Sequence, residues 1–184
     1  MSPKFCNFLL TKVLGWRSIP PPFNDEKAIL LGVPHTSIWD FAIGYLYYRS
    51  YGRKMKTMIK KESFVWPLSW ILKSLGGFPV DRSNSTALLM NIIHEMEKPG
   101  PFQLTICPEG TRKPVRKWKT GYHTIAKQTG CPVYMGYFDW GKKEIAMPYK
   151  LELTDDARAD TDRLQEVAES WHLTPKYPEN FRTK

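Results

Sequence analysis

Two short motifs carry the chemistry this chain can offer: His35-Thr36-Ser37-Ile38-Trp39-Asp40 and, further on, Pro108-Glu109-Gly110-Thr111-Arg112. Imidazole gains and loses a proton near neutral pH, and a carboxylate bound to one ring nitrogen leaves the other free as a base. The second motif is a glycine-opened turn ending in a guanidinium, a group that holds phosphate through paired charge-assisted hydrogen bonds. A base able to deprotonate an alcohol, beside a holder of phosphate, points to acyl transfer onto a phosphorylated alcohol.

The spacing dictates how the first pair must be held. On one continuous helix, residues five positions apart are separated by about 140°, so His35 and Asp40 would not share a face. They meet if His35 sits in a loop and Asp40 in the first turn of the helix that follows. Pro34 and a Ser37 N-cap mark that boundary. There the helix dipole favours an ionised carboxylate. Ser37-Ile38-Trp39-Asp40 equally resembles a capping box, in which Asp40 is a structural cap and nothing more. Both readings stand at this point.

In the second motif, Glu109 is placed to orient Arg112 or to bind a substrate hydroxyl, and the alternative is a polar turn with a surface ion pair. Lys113, Arg116, Lys117 and Lys119 extend the positive field around Trp118, and Arg53, Lys54, Lys56, Lys60 and Lys61 form an earlier cluster. Basic residues with aromatics between them also suit single-stranded nucleic acid. Neither cluster has a helix-turn-helix, zinc-finger or RNP pattern, so nucleic acid is not expected. No His-Glu-x-x-His run or clustered Cys/His spacing suggests a metal.

The elements that must position these residues can be read from periodicity. Ala28–Val33, Phe102–Cys107 and Pro132–Phe138 are apolar runs that predict buried strands. Leu89, Ile92, Ile93 and Met96 recur at helical spacing, as do Tyr122, Ile125, Ala126 and Thr129, and Leu164, Val167, Ala168 and Trp171. Strands alternating with amphipathic helices predict a single α/β domain, its partly parallel central sheet flanked by helices. Both motifs directly follow a strand, where such sheets gather reactive groups. The expected divisions are an amphipathic N-terminal helix and Pro linker over 1–22, a core over 23–153, and a C-terminal helix and loose tail over 154–184.

The chain has 184 residues, 27 Lys and Arg against 18 Asp and Glu, a formal charge of +9, and 42% hydrophobic residues. That composition excludes disorder and favours polyanionic partners. Three scattered cysteines fit a reducing compartment. No signal peptide or membrane-spanning run is evident, so any membrane contact is expected to be peripheral. In the N-terminal segment Cys6, Leu9, Leu10 and Val13 share a face, widened by Phe5, Phe8, Leu14 and Trp16. It either packs on the core or lies in a membrane interface with Trp16 at headgroup depth. The run Phe64–Leu72, with Trp66 and Trp70, poses the same choice.

Taken in order, the motifs resemble those of the glycerolipid acyltransferase family typified by 1-acyl-glycerol-3-phosphate acyltransferases. His35 and Asp40 match the His-x4-Asp motif, with Ser37 in its usual place. Gly77-Phe78-Pro79-Val80-Asp81-Arg82 looks like the second block, Glu109-Gly110-Thr111-Arg112 the third, and Cys131-Pro132-Val133-Tyr134 the start of the fourth. Trp118-Lys119-Thr120-Gly121 also falls where the family has a similar run. The likeness covers about residues 28–138. Three positions depart from it: Pro34 where Asn is frequent, Cys107 where Phe is common, and Met135-Gly136 in place of a Pro.

The resemblance implies the family's α/β fold and an O-acyltransferase. His35, oriented by Asp40, would deprotonate the free hydroxyl of a lysophosphatidate-like acceptor. Arg82 and Arg112 would hold its phosphate, with Glu109, Gly110 and Thr111 shaping the pocket. The donor would be acyl-CoA or acyl-carrier protein as co-substrate, with no resident cofactor. The enzyme would be cytoplasmic and peripherally bound to an anionic membrane surface. The competing readings are the same chemistry on a lyso-aminolipid, and a non-catalytic module that binds anionic lipid.

Overall fold

Lys27–Val33 (β2) is apolar at almost every position because it is buried on both faces. Ala28 and Leu30 face one layer, and Ile29, Leu31 and Val33 the other. β2 is the centre of a seven-stranded sheet in the computed structural model, which describes residues 1–81 and 83–181, with Lys60 described by its backbone. The other strands are Arg17–Ser18 (β1), Met55–Lys60 (β3), Gly77–Val80 (β4), Phe102–Ile106 (β5), Val133–Asp139 (β6) and Glu144–Leu151 (β7). Their order is β1-β7-β6-β2-β5-β3-β4. The five strands β2 to β6 run parallel, and β7 turns back antiparallel to β6, carrying β1 on its outer edge. This is a single α/β domain with a mostly parallel sheet, as expected.

Helices cover both faces. Ser85–Glu97 (α4), Gly121–Thr129 (α5) and Ala157–Ser170 (α6) pack on one side through Ile92, Met96, Tyr122, Ile125 and Leu164, residues that the helical spacing singles out. On the other side Pro3–Phe8 (α1), continued by a π-helical stretch Leu9–Val13, lies with Ile38–Ser50 (α2) over Ala28, Leu30, Tyr134 and Phe138. Cys6, Leu10 and Trp16 are buried there. Trp16 therefore belongs to the core rather than to a headgroup layer. Val13 is exposed with Phe5, Phe8 and Leu14, because the wider π winding carries it off the face that an unbroken α-helix would present.

Neither β3 nor β7 carries a plain apolar run. In β3, lysines interleave with Met55 and Met58. In β7, Pro148 interrupts the pattern, and the strand tolerates it because β1 pairs only with Glu144 and Ile145, leaving Pro148 on an open edge. Gly136 sits at a register irregularity between β6 and β7, where an added Cβ would meet the Ala146 carbonyl at 2.4 Å. That contact is the physical reason for a glycine here. The C-terminal segment is less loose than expected: Pro178–Asn180 form a 3-10 turn, and the Tyr177 amide and the Asn180 side chain reach Thr36.

The parallel strands send their carboxyl ends to one edge of the sheet. Pro34–Ser37 follow β2, Lys61–Pro67 follow β3 and lead into the short helix Leu68–Ser74 (α3), Asp81 follows β4, Cys107–Gly110 follow β5 and Trp140 follows β6. Ligands of open α/β sheets bind at this edge. Leu10→Ala tests whether the N-terminal segment is part of the fold. Removing this fully buried side chain is expected to cost about 2–5 kcal/mol in urea unfolding. A loss under about 0.5 kcal/mol would show that the segment does not pack on the sheet.

Candidate active site

Asp40 ends three backbone and side-chain demands at once. Its Oδ2 accepts the Thr36 and Ser37 amides at 2.9 and 2.8 Å, and its Oδ1 accepts the Trp140 indole N–H at 2.8 Å. Ser37 Oγ in turn accepts the Trp39 amide at 3.1 Å, completing a reciprocal cap at the start of α2. The carboxylate is 1% exposed, and its Oδ2 lies 3.5 Å from His35 Nδ1. Both readings of Asp40 therefore hold together: it caps the helix, and the capping geometry aims it at the imidazole. At 3.5 Å the contact is ionic rather than a formed hydrogen bond, and Nδ1 is without a hydrogen-bond partner among the described residues. The imidazole itself is 22% exposed and opens to solvent.

The second motif reaches the first from β5, which is hydrogen-bonded to β2. Glu109 Oε1 accepts the His35 amide at 2.9 Å. Glu109 is buried, and among the described residues no ion pair joins it to Arg112. Its place is under the backbone of His35, not beside the arginine. Gly110 turns the chain with φ +70 and its amide returns to the Cys107 carbonyl, while the Lys119 amide closes on the Pro108 carbonyl. Thr111 is half-buried and its hydroxyl accepts the Lys113 amide, whereas Arg112 is exposed on the same loop. Arg82 lies outside the described residues.

The electrostatics follow from this packing. Burial works against a charge on His35, but the adjoining Cys107 sulfur, the Asp40 carboxylate and Glu109 outweigh it and push the pKa up to about 10 from an ordinary 6.5. Burial also pushes the Glu109 carboxyl up to about 7, against the hydrogen bonds from its own backbone and from His35, which lower it. Glu109 Oε2 is buried with no partner among the described residues. No group of three or more His, Cys, Asp or Glu among these residues is placed to hold a metal ion. A second buried pair, His123 of α5 and Asp160 of α6, sits 3.2 Å apart and is tied up by Thr154 and Arg163, which makes it a structural clamp between the two helices.

Two residues of this site carry no motif. Trp140 holds Asp40 and stacks edge-on against Trp16 at 4.9 Å, with the Lys176 ammonium 4.1 Å above its ring. Nothing in the local sequence around the β6–β7 turn signals that role. Cys107, at the carboxyl end of β5, adds to the charge that raises the His35 pKa. Its only trace in the sequence is its departure from the phenylalanine that the resemblance leads one to expect.

A mostly parallel sheet with a histidine, its carboxylate and a glycine turn gathered at the carboxyl edge is the layout of an α/β ligand-transforming protein. The chain belongs to the Acyltransferase family, whose profile matches residues 13–135. Over 92 residues it is 30% identical to a 1-acyl-sn-glycerol-3-phosphate acyltransferase of Streptococcus pneumoniae, a match covering 50% of this chain and 34% of that protein. The chain thus spans about a third of the length of this curated relative. The crystal structure of the 1-acyl-sn-glycerophosphate (LPA) acyltransferase PlsC from Thermotoga maritima shares the fold, with TM-score 0.63 and 17% identity over 95% of this chain and 80% of that one.

Trp140→Phe removes the hydrogen bond to Asp40 while keeping a ring against Trp16. Loss of one hydrogen bond to a charged group costs about 1.5–3 kcal/mol where the partner stays buried. The variant is therefore expected to lower the urea midpoint and to move the titration of His35 followed by NMR. An unchanged His35 titration would show that Trp140 does not position the pair.

Proposed function

We propose that this protein is an O-acyltransferase that moves a fatty acyl group from acyl-CoA or acyl-carrier protein to the free hydroxyl of 1-acyl-glycerol-3-phosphate, in phospholipid synthesis. The observation that carries the reading is the His35–Asp40 pair, held by a helix cap and open to solvent at the carboxyl edge of the sheet. Asp40 fixes the ring and His35 takes the proton of the acceptor hydroxyl as its oxygen attacks the thioester carbonyl. The donor leaves as a thiol, reprotonated by His35. Arg112, from the loop after β5, and Arg82 hold the acceptor phosphate. Thr111 and Gly110 shape that loop, and Glu109 acts through the His35 backbone.

The working form of His35 is the neutral imidazole. Because its pKa is raised to about 10, turnover is expected to climb as pH rises, along a limb lying above 6.5. A rate already flat at pH 7 would contradict that protonation. His35→Ala is expected to lower turnover about 10²–10⁴-fold. Near-normal release of CoA from the variant in the presence of lysophosphatidate would end the general-base role. Arg112→Ala should raise the apparent KM for lysophosphatidate without a matching loss on a phosphate-free acceptor. Equal effects on both acceptors would remove Arg112 from the phosphate site.

Peripheral binding to the cytoplasmic face of an anionic membrane belongs to the same reading. Trp66 is 91% exposed and Trp70 77%, with Val65, Leu68 and Ile71 exposed beside them. Ile38 and Trp39 are exposed immediately after the catalytic loop, within a chain of formal charge +9. Trp66 follows β3 at the edge that carries His35, so lipid met there would meet the base. Among the described residues no helix is long and apolar enough to cross a membrane. The double variant Trp66→Ser, Trp70→Ser is expected to bind phosphatidylglycerol vesicles more weakly than the parent, and both should release with salt. Equal sedimentation of the two proteins would remove these tryptophans from the membrane face.

A further inference from the structure

Trp140 opens the turn between β6 and β7, beyond the residues that the family profile matches. An indole has a negative face and a positive edge. Here both are used: the Lys176 ammonium lies 4.1 Å from the ring centroid on the face, and the edge N–H donates to Asp40 Oδ1 at 2.8 Å. Asp40 Oδ2 in turn faces His35 Nδ1 at 3.5 Å. Ammonium, indole, carboxylate and imidazole thus form one chain of alternating charge. Among the described residues no carboxylate pairs with Lys176, so its charge is left for the ring. The segment that carries Lys176 also reaches the carboxylate from a second side. The Trp140 amide donates to the Thr174 carbonyl at 2.8 Å, and a Cβ at Gly141 would stand 2.8 Å from the Thr174 hydroxyl. Further on, the Tyr177 amide and the Asn180 side chain each donate to Thr36 at 3.4 Å, and the Thr36 amide donates to Asp40 Oδ2 at 2.9 Å. Residues 174–180 therefore touch both supports of Asp40, the indole on one oxygen and the loop on the other. Packing alone does not require a chain to close on both sides of one carboxylate.

We propose that residues 174–180 are a strap that positions the base, and that Lys176 is its positioning residue, acting on acyl transfer through Trp140 and Asp40. The proposal rests on the acyl-transfer reading above and adds to it a residue outside the family profile. The ammonium draws electron density toward the face of the indole, which strengthens the positive edge offered to Asp40. A carboxylate held by a stronger donor keeps one orientation, and the imidazole facing it keeps one as well. Displacing a catalytic group by about 1 Å can cost about 10²-fold in rate, so loss of this charge is read in turnover rather than in acceptor binding. Arginine can replace lysine here, because a guanidinium also lies well over an indole face. An apolar side chain of similar length fills the same space and leaves the N–H a weaker donor.

The test compares the full chain with Lys176→Met, Lys176→Arg and a charge-matched control, Lys127→Met. Lys127 belongs to α5, across the sheet from α2, and pairs with Asp155 on the surface. Two readouts are taken by NMR and by kinetics. One is solvent exchange of the Trp140 indole N–H, assigned by its absence from Trp140→Phe. The other is the initial rate of CoA release from palmitoyl-CoA with lysophosphatidate. Lys176→Met is expected to exchange that N–H about tenfold faster. Its kcat should fall about tenfold, with KM for lysophosphatidate held within about twofold. Lys176→Arg should stay within about twofold of the parent on both readouts, and Lys127→Met should match the parent. Unchanged exchange or unchanged kcat in Lys176→Met overturns the proposal. A raised KM at constant kcat also overturns it, by placing Lys176 against the acceptor, as does an arginine variant no better than the methionine one. If the parent releases no CoA with lysophosphatidate, the acyl-transfer reading fails and the exchange arm decides the strap. Faster exchange restored by arginine then keeps Lys176 as the residue that positions the pair, and unchanged exchange removes it. Should Lys176→Met show no cooperative urea unfolding, Lys176→Gln removes the same charge and is read by the same two measurements.

Discussion

The Asp40 carboxylate is the interaction on which the rest of this site depends. Four groups converge on its two oxygens: two amides of the loop, one indole, and the imidazole of His35. A buried carboxylate is tolerated only when its lone pairs are used, and here they are nearly all used. The start of α2 and the orientation of the His35 ring therefore have one cause. A cap at this position is worth roughly 0.5–2 kcal/mol in ordinary helices. This one also fixes the angle of the loop that carries His35, so its geometry cannot relax without moving that imidazole.

Support for that carboxylate comes from parts of the chain far apart in sequence. Trp16, from the segment before the proline run, braces Trp140, and Trp140 holds Asp40. Lys176 covers the same indole from the other end of the chain, and Tyr177 and Asn180 close on Thr36. Glu109 draws the β5 loop under the backbone of His35. The loop that holds His35 is thereby fastened from four directions while the ring itself faces solvent. The role proposed for His35, taking a proton from an acceptor hydroxyl, calls for that combination of a fixed stem and an open tip.

Much of this could be read from the residues. β2, β5 and β6 are continuous apolar runs because both faces of a parallel strand are covered, and α4, α5 and α6 show plain helical spacing because one face of each meets solvent. The loop position of His35 and the first-turn position of Asp40 followed from the five-residue spacing and from Ser37. What stayed hidden was set by tertiary neighbours. β3 mixes two lysines and a threonine among Met55, Met58 and Ile59 and resembles a solvated basic run, and β7 carries a proline that its open edge permits. Trp140 acquires its part only when β6 lies beside β2, and Glu109 faces His35 rather than Arg112 because the two strands are paired. The π turn at Leu9 moved Val13 outward, a detail no helical projection contains.

The central strand has a consequence for how the molecule comes into being. β2 is made early, yet its pairing partners are Phe102–Ile106 on one side and Val133–Tyr137 on the other. Until those segments leave the ribosome, an apolar strand has no hydrogen-bonding neighbour and two uncovered faces. Sheets dominated by such distant pairings form slowly and expose adhesive segments while they wait. The two motifs lie just past the carboxyl ends of β2 and β5, so neither is set against the other until those two strands, some seventy residues apart, have paired, and a half-made chain is both inert and sticky.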